Sequence, residues 1–230
     1  MIAQNLAHVK QRIEESAKRS GRNPKEINLI CVTKSVGTDQ LRQALALGVT
    51  DIGENRVNDA LSKFDGLGVL SVGLRWHMIG HLQTNKVRKC LKVFNTIHSL
   101  DSLRLAIELS RQAKEVKKHI DCFVEVNVSG EDAKYGIRSG DACSFIKEVS
   151  QLSNLHVKGL MTMAPFSEVQ EDARPYFKSL STLRDDLLKE DIPNTDIREL
   201  SMGMTQDFEV AIEEGATYVR IGTALFSNQI

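Results

Sequence analysis

The sequence lacks the features that mark membrane, secreted or nucleic-acid-binding proteins. Its longest apolar runs, such as INLICV and GLMTMAPF, are far shorter than the roughly 20 residues that span a bilayer, and residues 1–10 do not form a signal peptide. Its 30 basic and 30 acidic residues balance, so no overall charge favours nucleic acid or an anionic membrane. We therefore expect a soluble cytoplasmic protein, in which any affinity for an anion arises from a local site.

Cysteine and histidine spacing gives no sign of a metal site or a disulfide framework. The four cysteines occur without a C-x-x-C pair, which predicts buried, reduced thiols. His77 and His81 are four residues apart, but the segment RWHMIGH is typical of a strand, where that spacing separates side chains by roughly 13 Å. We therefore expect no metal to be bound.

Strand-like and helical patterns alternate along most of the chain. An amphipathic helix is predicted over residues 3–20, and eight strand patterns follow, each separated from the next by a helical pattern. The strand patterns are INLICVT, TDIG, RWHMIG, VFNTIHS, IDCFVEVNVS, LHVKGLMTM, IRELSMG and TYVRIGT. Strict alternation requires a parallel sheet, and eight units close a (β/α)8 barrel.

These patterns predict a single α/β domain over residues 1–230, a (β/α)8 TIM barrel with an extra N-terminal helix. An open, doubly wound sheet is the alternative. It is less favoured because no strand pattern is followed by G-x-G-x-x-G.

One lysine, Lys34, comes at the end of the first strand pattern. A lysine there can simply extend into solvent, so its neighbours decide its meaning. In a (β/α)8 barrel the active site forms where the carboxyl ends of the strands converge. Asn55, in the segment GENR, follows the second strand pattern and is expected beside Lys34.

Hydroxyl and glycine residues end strand patterns seven and eight, where TIM barrels often bind phosphate. Hydroxyl groups donate hydrogen bonds to phosphate oxygens, and glycines let backbone amides approach them. A phosphate site facing a lysine predicts a phosphorylated carbonyl compound held as a Schiff base, and pyridoxal 5′-phosphate (PLP) fits that description. Arg220 is placed to approach the pyridine nitrogen of PLP. The predicted phosphate residues are Ser201, Gly203, Gly222 and Thr223.

Seven segments, in order, resemble the pyridoxal 5′-phosphate homeostasis proteins, single-domain relatives of the barrel domain of alanine racemase. They are VTK, ending at Lys34, then IGENRVND, WHMIGHLQTNK, EVNVSGEDAKYGI, GLMTMAP, LSMGMTQDFEVAI and VRIGTALF. The resemblance implies a modified barrel in which Lys34 carries PLP as a Schiff base, the four phosphate residues bind its phosphate and Arg220 faces its ring nitrogen. Three positions depart from the family pattern: Thr205 replaces a usual serine, KSVGT lacks a usual proline, and ALFS replaces a common FG before the tail.

Three functions remain open at this point. Racemisation needs an acid and a base on opposite faces of a carbon. In the alanine racemases the second of these groups comes from an additional domain, and because this sequence ends seven residues after Thr223 we expect no such domain here. An arginine at the ring nitrogen would also weaken PLP as an electron sink. We therefore expect a PLP-binding protein of intracellular PLP homeostasis, without efficient turnover, that stores, buffers or delivers PLP.

We expect this protein to be a monomer, with PLP and apo PLP-dependent enzymes as partners. The first alternative is a small PLP-dependent amino-acid racemase or related enzyme, with a base from GENR, GHLQ or Tyr135. The second is a cofactor-free Schiff-base lyase that acts on a sugar phosphate. The sequence leaves open the roles of His81, Asn85 and Tyr135.

Overall fold

The computed structural model describes residues 1–227, which form nine strands and nine α-helices. The strands are β1 (Asn28–Val32), β2 (Asp51–Glu54), β3 (Arg75–Met78), β4 (Thr96–Leu100), β5 (Ile120–Asn127), β6 (Ile137–Arg138), β7 (Leu155–Met161), β8 (Thr195–Met204) and β9 (Tyr218–Ile221). The helices are α1 (Ile2–Arg19), α2 (Thr38–Ala46), α3 (Val57–Leu67), α4 (Val87–Cys90), α5 (Leu103–Glu115), α6 (Ala142–Val149), α7 (Arg174–Leu187), α8 (Phe208–Glu213) and α9 (Thr223–Phe226). None of these helices is long and apolar enough to cross a bilayer.

Eight strands close into a parallel barrel in the order β1, β2, β3, β4, β5, β7, β8, β9, with β9 pairing back to β1. All eight predicted strands are present, and the predicted TIM barrel is confirmed. The additional strand β6 pairs with the end of β5, and a strand of two residues is too short to leave a pattern in the sequence. The helical pattern that separates β3 from β4, LQTNKVRKCL, forms a shorter helix than expected, because a 3-10 turn occupies Thr84–Lys86 before α4 begins.

The extra N-terminal helix α1 lies on the outside of the barrel against α8 and α9. Its apolar stripe is buried, as the three-to-four spacing predicts. Arg12 forms an ion pair with Glu209 of α8 at 2.9 Å, and the Asn5 side-chain amide donates to the Leu225 carbonyl of α9 at 3.2 Å. The helix therefore covers the last two helices of the barrel.

Aromatic and histidine rings fill the middle of the barrel. In β3, Trp76 packs outward against Phe64 of α3, with ring centroids 6.0 Å apart, while the next residue, His77, points inward. The inward rings contact one another at centroid distances of 4.3 to 6.0 Å. These rings are His77, His98, Phe123 and Tyr218.

Candidate functional site

A cavity of about 410 Å³ lies at the carboxyl ends of the strands, a size typical of small-molecule sites. Its wall contains residues that follow β1, β2, β7, β8 and β9, so the cavity is built from segments that are distant in sequence. Five of the seven predicted site residues line it. They are Lys34, Asn55, Arg220, Gly222 and Thr223.

Lys34 lies in a turn, two residues beyond the end of β1. The Val36 amide closes this turn by donating to the Thr33 carbonyl at 3.1 Å. The Lys34 side chain is exposed, and its Nζ has no hydrogen bond or ion pair within residues 1–227. A primary amine without a protein partner therefore lines the cavity.

A buried ion pair holds the residue that precedes Lys34. The Lys63 ammonium of α3 donates to Glu54 Oε1 at 2.5 Å and also to the Thr33 carbonyl. The Thr33 hydroxyl donates to the same Glu54 oxygen at 2.5 Å. This cluster was not predicted from the sequence, although Lys63 shares the buried face of α3 with apolar residues, an unusual place for a lysine. The pair fixes the backbone from which Lys34 projects.

Arg220, in β9, is a buried cation in the wall of the cavity. Its Nη1 donates to the Ser201 carbonyl at 2.8 Å and to the Ser201 hydroxyl at 2.7 Å, and its Nη2 donates to the Thr162 carbonyl at 3.0 Å. Burial lowers the pKa of Arg220 to about 10, so the guanidinium stays charged at neutral pH. Its Nε has no hydrogen-bond partner among the described residues, unlike Nη1 and Nη2.

Ser201 and Gly203 do not line the cavity, in contrast to Gly222 and Thr223, the predicted phosphate residues that follow β9. Ser201 is fully buried in the barrel, where its hydroxyl contacts Arg220 and, at 2.8 Å, His98 Nδ1. Gly203 has a φ of +92°, and a Cβ there would lie 2.6 Å from the Ala211 Cβ of α8. Gly203 is therefore a packing requirement, and the Ser201 hydroxyl is occupied by its protein partners.

The loops after β8 and β9 meet at the mouth of the cavity. The Ala224 amide donates to the Thr205 hydroxyl at 3.5 Å, which joins the two loops. A Cβ on Gly222 would lie 3.0 Å from the Val32 carbonyl, so glycine lets β9 approach β1 closely. Thr223 is the first residue of α9, and its amide therefore has no acceptor within that helix. The hydroxyl groups of Thr205 and Thr223 and the Thr223 amide thus form a neutral cradle for an anion.

The segment between β7 and α7 forms an apolar wall of the cavity. Met163 and Phe166 line it, with Met204 from β8. Phe166 is 78% exposed, although it is a large apolar side chain. A flat, apolar ligand ring would remove such side chains from water.

The three residues whose roles the sequence left open lie away from this cavity. His81 lines a second cavity of about 320 Å³, which shares Asn55 with the first. Its ring stacks on Tyr135 with centroids 4.0 Å apart, and its Nδ1 lies 2.9 Å from Asp101 Oδ2. Asn85 is exposed and lines neither cavity.

Glu125, in β5, is a buried carboxyl group without a hydrogen-bond partner among residues 1–227. Burial and the charge of Asp101 raise its pKa to about 7, although Arg220 opposes the rise. A raised folded-state pKa stabilises the fold below the unfolded-state value of 4.5, and this stabilisation is lost as the pH rises through 7.

A Glu125→Gln variant removes this pH-dependent contribution. From pH 5 to pH 8, its free energy of unfolding relative to the wild type is expected to rise by about 2 kcal/mol. Urea unfolding at both pH values measures the change. The exposed Glu148→Gln control is expected to show no such trend, and an equal trend in both variants would contradict a raised Glu125 pKa.

Comparison with known proteins places the chain in a family. A family model described as the alanine racemase N-terminal domain matches residues 4–229. The chain is 42% identical over 226 residues to a pyridoxal phosphate homeostasis protein of Aquifex aeolicus, covering 98% of this chain and 97% of that protein. The chain belongs to the pyridoxal phosphate homeostasis protein family. A family member from Pseudomonas aeruginosa is 40% identical, with 98% and 94% covered.

Solved structures of family members share the barrel. PipY of Synechococcus elongatus is 34% identical, with 99% of this chain and 100% of PipY covered. The TM-score is 0.88 to PipY without PLP and 0.86 to PipY with PLP bound. An alanine racemase of Clostridium difficile, at 15% identity and a TM-score of 0.74, shares the fold over 58% of its own length.

Proposed function

We propose that the protein binds PLP as a reversible Schiff base on Lys34 and serves intracellular PLP homeostasis by storing, buffering or delivering it. One observation carries the proposal: the unpartnered amine of Lys34 and the cradle of Thr205, Gly222 and Thr223 line the same cavity. The names of the relatives and the PLP-bound structure of PipY support the choice of ligand.

The residues in and around the cavity suit the functional groups of PLP. Bound PLP would supply an aldehyde, which a lysine amine attacks with release of water. Thr205, Gly222 and Thr223 would hold the phosphate through hydroxyl and amide donors, and Thr205 would take the part first assigned to Ser201 and Gly203. Arg220 would donate to the ring nitrogen and keep it unprotonated. Asn55 would contact the cofactor from the end of β2.

The titratable groups around the cavity support a carrier over a racemase. Among residues 1–227, those that line it are Lys34, Asp207 and Arg220. Arg220 stays charged, and Asp207 already accepts a hydrogen bond from the Met204 amide at 2.6 Å. Within the described part of the chain, Lys34 is therefore the one lining titratable group without a protein hydrogen-bond partner, whereas racemisation needs both an acid and a base. Incubation with a panel of amino acids in D₂O is expected to give no deuterium at Cα, and substantial incorporation would instead establish an enzyme.

Visible spectroscopy and chemical trapping test the proposal. Protein mixed with PLP is expected to show a visible band, and borohydride is expected to convert the reversible bond into a stable one on the peptide that contains Lys34. Pyridoxal without phosphate is expected to bind at least about tenfold more weakly, because it leaves the cradle empty. No band at saturating PLP, or a label on another lysine, would refute the assignment. Trapping only with a sugar phosphate would favour the lyase alternative.

A further inference from the structure

Five buried side chains form a continuous chain of hydrogen bonds through the barrel. Arg220 Nη1 lies 2.7 Å from Ser201 Oγ, which lies 2.8 Å from His98 Nδ1. His98 Nε2 lies 2.9 Å from His77 Nδ1, and His77 Nε2 lies 3.0 Å from Asp51 Oδ1. Every member is at most 5% exposed. The chain therefore leads from the cavity wall to the first residue of β2, near the opposite end of the barrel.

The carboxylate end of this chain, together with the neutrality that burial imposes on its two imidazole rings, fixes the direction of every hydrogen bond in it. A guanidinium can only donate, and an ionised carboxylate can only accept. Ser201 must then accept from Arg220 and donate to His98 Nδ1. His98 must carry its proton on Nε2 and donate to His77 Nδ1, and His77 must carry its proton on Nε2 and donate to Asp51. Both neutral histidines are thus Nε2–H tautomers.

The surroundings of the three titratable groups favour the protonation states from which this direction follows. Burial lowers the pKa of both His77 and His98, which keeps the rings neutral. Burial opposes ionisation of Asp51, but hydrogen bonds from His77, Arg75 and Thr50 outweigh it and hold the Asp51 pKa well below its usual value. Arg75 binds Asp51 through two hydrogen bonds of 2.7 and 2.6 Å and so anchors the accepting end.

We propose that Asp51, His77 and His98 are positioning residues, which act through Ser201 to hold the Arg220 guanidinium in the orientation that faces the cofactor ring. This proposal rests on the proposed binding of PLP. The direct partners of Arg220 are neutral, and an isolated cation in a barrel interior is costly. An ordered row of dipoles that ends in a carboxylate offsets that cost and leaves Arg220 one favoured position.

Two other acids lie near Arg220 but do not replace the chain. The charges of Asp207 and Glu125 favour the Arg220 cation. Neither side chain, however, makes a hydrogen bond to it among residues 1–227. The two acids favour the positive charge of Arg220, while the chain of hydrogen bonds fixes the orientation of its guanidinium.

The tautomers can be measured without PLP and without any substitution. Nitrogen-15 NMR of the wild-type imidazoles in the unloaded protein is expected to show Nε2–H and an unprotonated Nδ1 for both His77 and His98. A proton on Nδ1 of either ring would overturn the proposed direction. This measurement stands whether or not PLP binds, so it separates failure of the chain from failure of the proposed function.

Substitutions test whether the chain reaches the cofactor. In His98→Phe the new ring can keep the stacking on Phe123, now at a centroid distance of 4.3 Å, but the hydrogen bonds are lost. Asp51→Asn keeps an acceptor but removes the charge. Both variants are expected to raise the dissociation constant for PLP by about tenfold and to displace its visible absorption maximum.

The matched control is Tyr218→Phe, which lies among the same interior rings but outside the chain. It is expected to bind PLP within about twofold of the wild type, with an unchanged absorption maximum. If wild-type protein binds PLP and both His98→Phe and Asp51→Asn match the control, the positioning role is refuted while the proposed function survives. If His98→Phe does not fold, Asp51→Asn and the tautomer measurement decide the matter.

Discussion

A Lys34→Ala variant is expected to lose the visible band of bound PLP completely and to bind PLP at least about 100-fold more weakly. The reason is that the variant retains the phosphate cradle and Arg220 but has no amine to form the covalent bond. Absorbance titration and equilibrium dialysis measure the two effects separately. The same variant is expected to give no labelled peptide after borohydride treatment.

Loss of PLP binding in Lys34→Ala has to be distinguished from unfolding of the variant. Lys34 is exposed and has no hydrogen bond or ion pair within residues 1–227, so its removal is expected to change the free energy of unfolding by less than about 0.5 kcal/mol. Lys86→Ala is the matched control, because Lys86 lines only the second cavity. A full band in Lys34→Ala, or its loss in Lys86→Ala, would show that another amine carries PLP.

Hydrophobic periodicity was sufficient to predict the barrel. Eight buried strands, each separated by a helical pattern, admit few arrangements once right-handed crossovers are required. Periodicity failed where the element was short. Strand β6 has two residues, too few to repeat a pattern and be recognised, and the helix between β3 and β4 was predicted longer than the four residues of α4.

The cavity could be predicted in part, because strand ends converge in a parallel barrel. Lys34, Gly222 and Thr223 follow the ends of β1 and β9 and line it together. Ser201 differs because β8 continues to Met204, three residues further. That extra length places the Ser201 side chain inside the barrel, below the loops that form the mouth. The exact end of a strand is not encoded in a short apolar pattern.

The polar interior of the barrel could not be predicted as a network, although its members left a signal. Asp51, His77, His98 and Ser201 each lie within a predicted strand pattern, where buried positions are normally apolar. A single polar residue in a strand pattern does not show whether its side chain is buried or which residue it contacts. Only the closed barrel brings residues separated by up to 103 positions, His98 and Ser201, into hydrogen-bond contact.

The buried ion pair beneath Lys34 gives the second large effect. A Lys63→Met variant is expected to lose roughly 3 to 5 kcal/mol of unfolding free energy, because it leaves the fully buried Glu54 carboxylate without its cation. Thermal or urea unfolding measures this loss. Lys147→Met is the control, because Lys147 pairs with Glu190 at a similar distance, 2.8 Å, but on the surface. This variant is expected to lose less than about 1 kcal/mol of unfolding free energy.

The same ion pair is expected to affect PLP binding through Thr33. Lys63 donates to the Thr33 carbonyl, and Thr33 precedes Lys34, so Lys63→Met releases the turn that holds the reactive amine. We expect PLP to bind several-fold more weakly to Lys63→Met, with a visible band that still forms at saturation. Adding Glu54→Gln to Lys63→Met removes the unpaired charge and is expected to recover part of the stability but not the affinity. If the double variant recovered both, the ion pair would stabilise the fold without positioning Lys34.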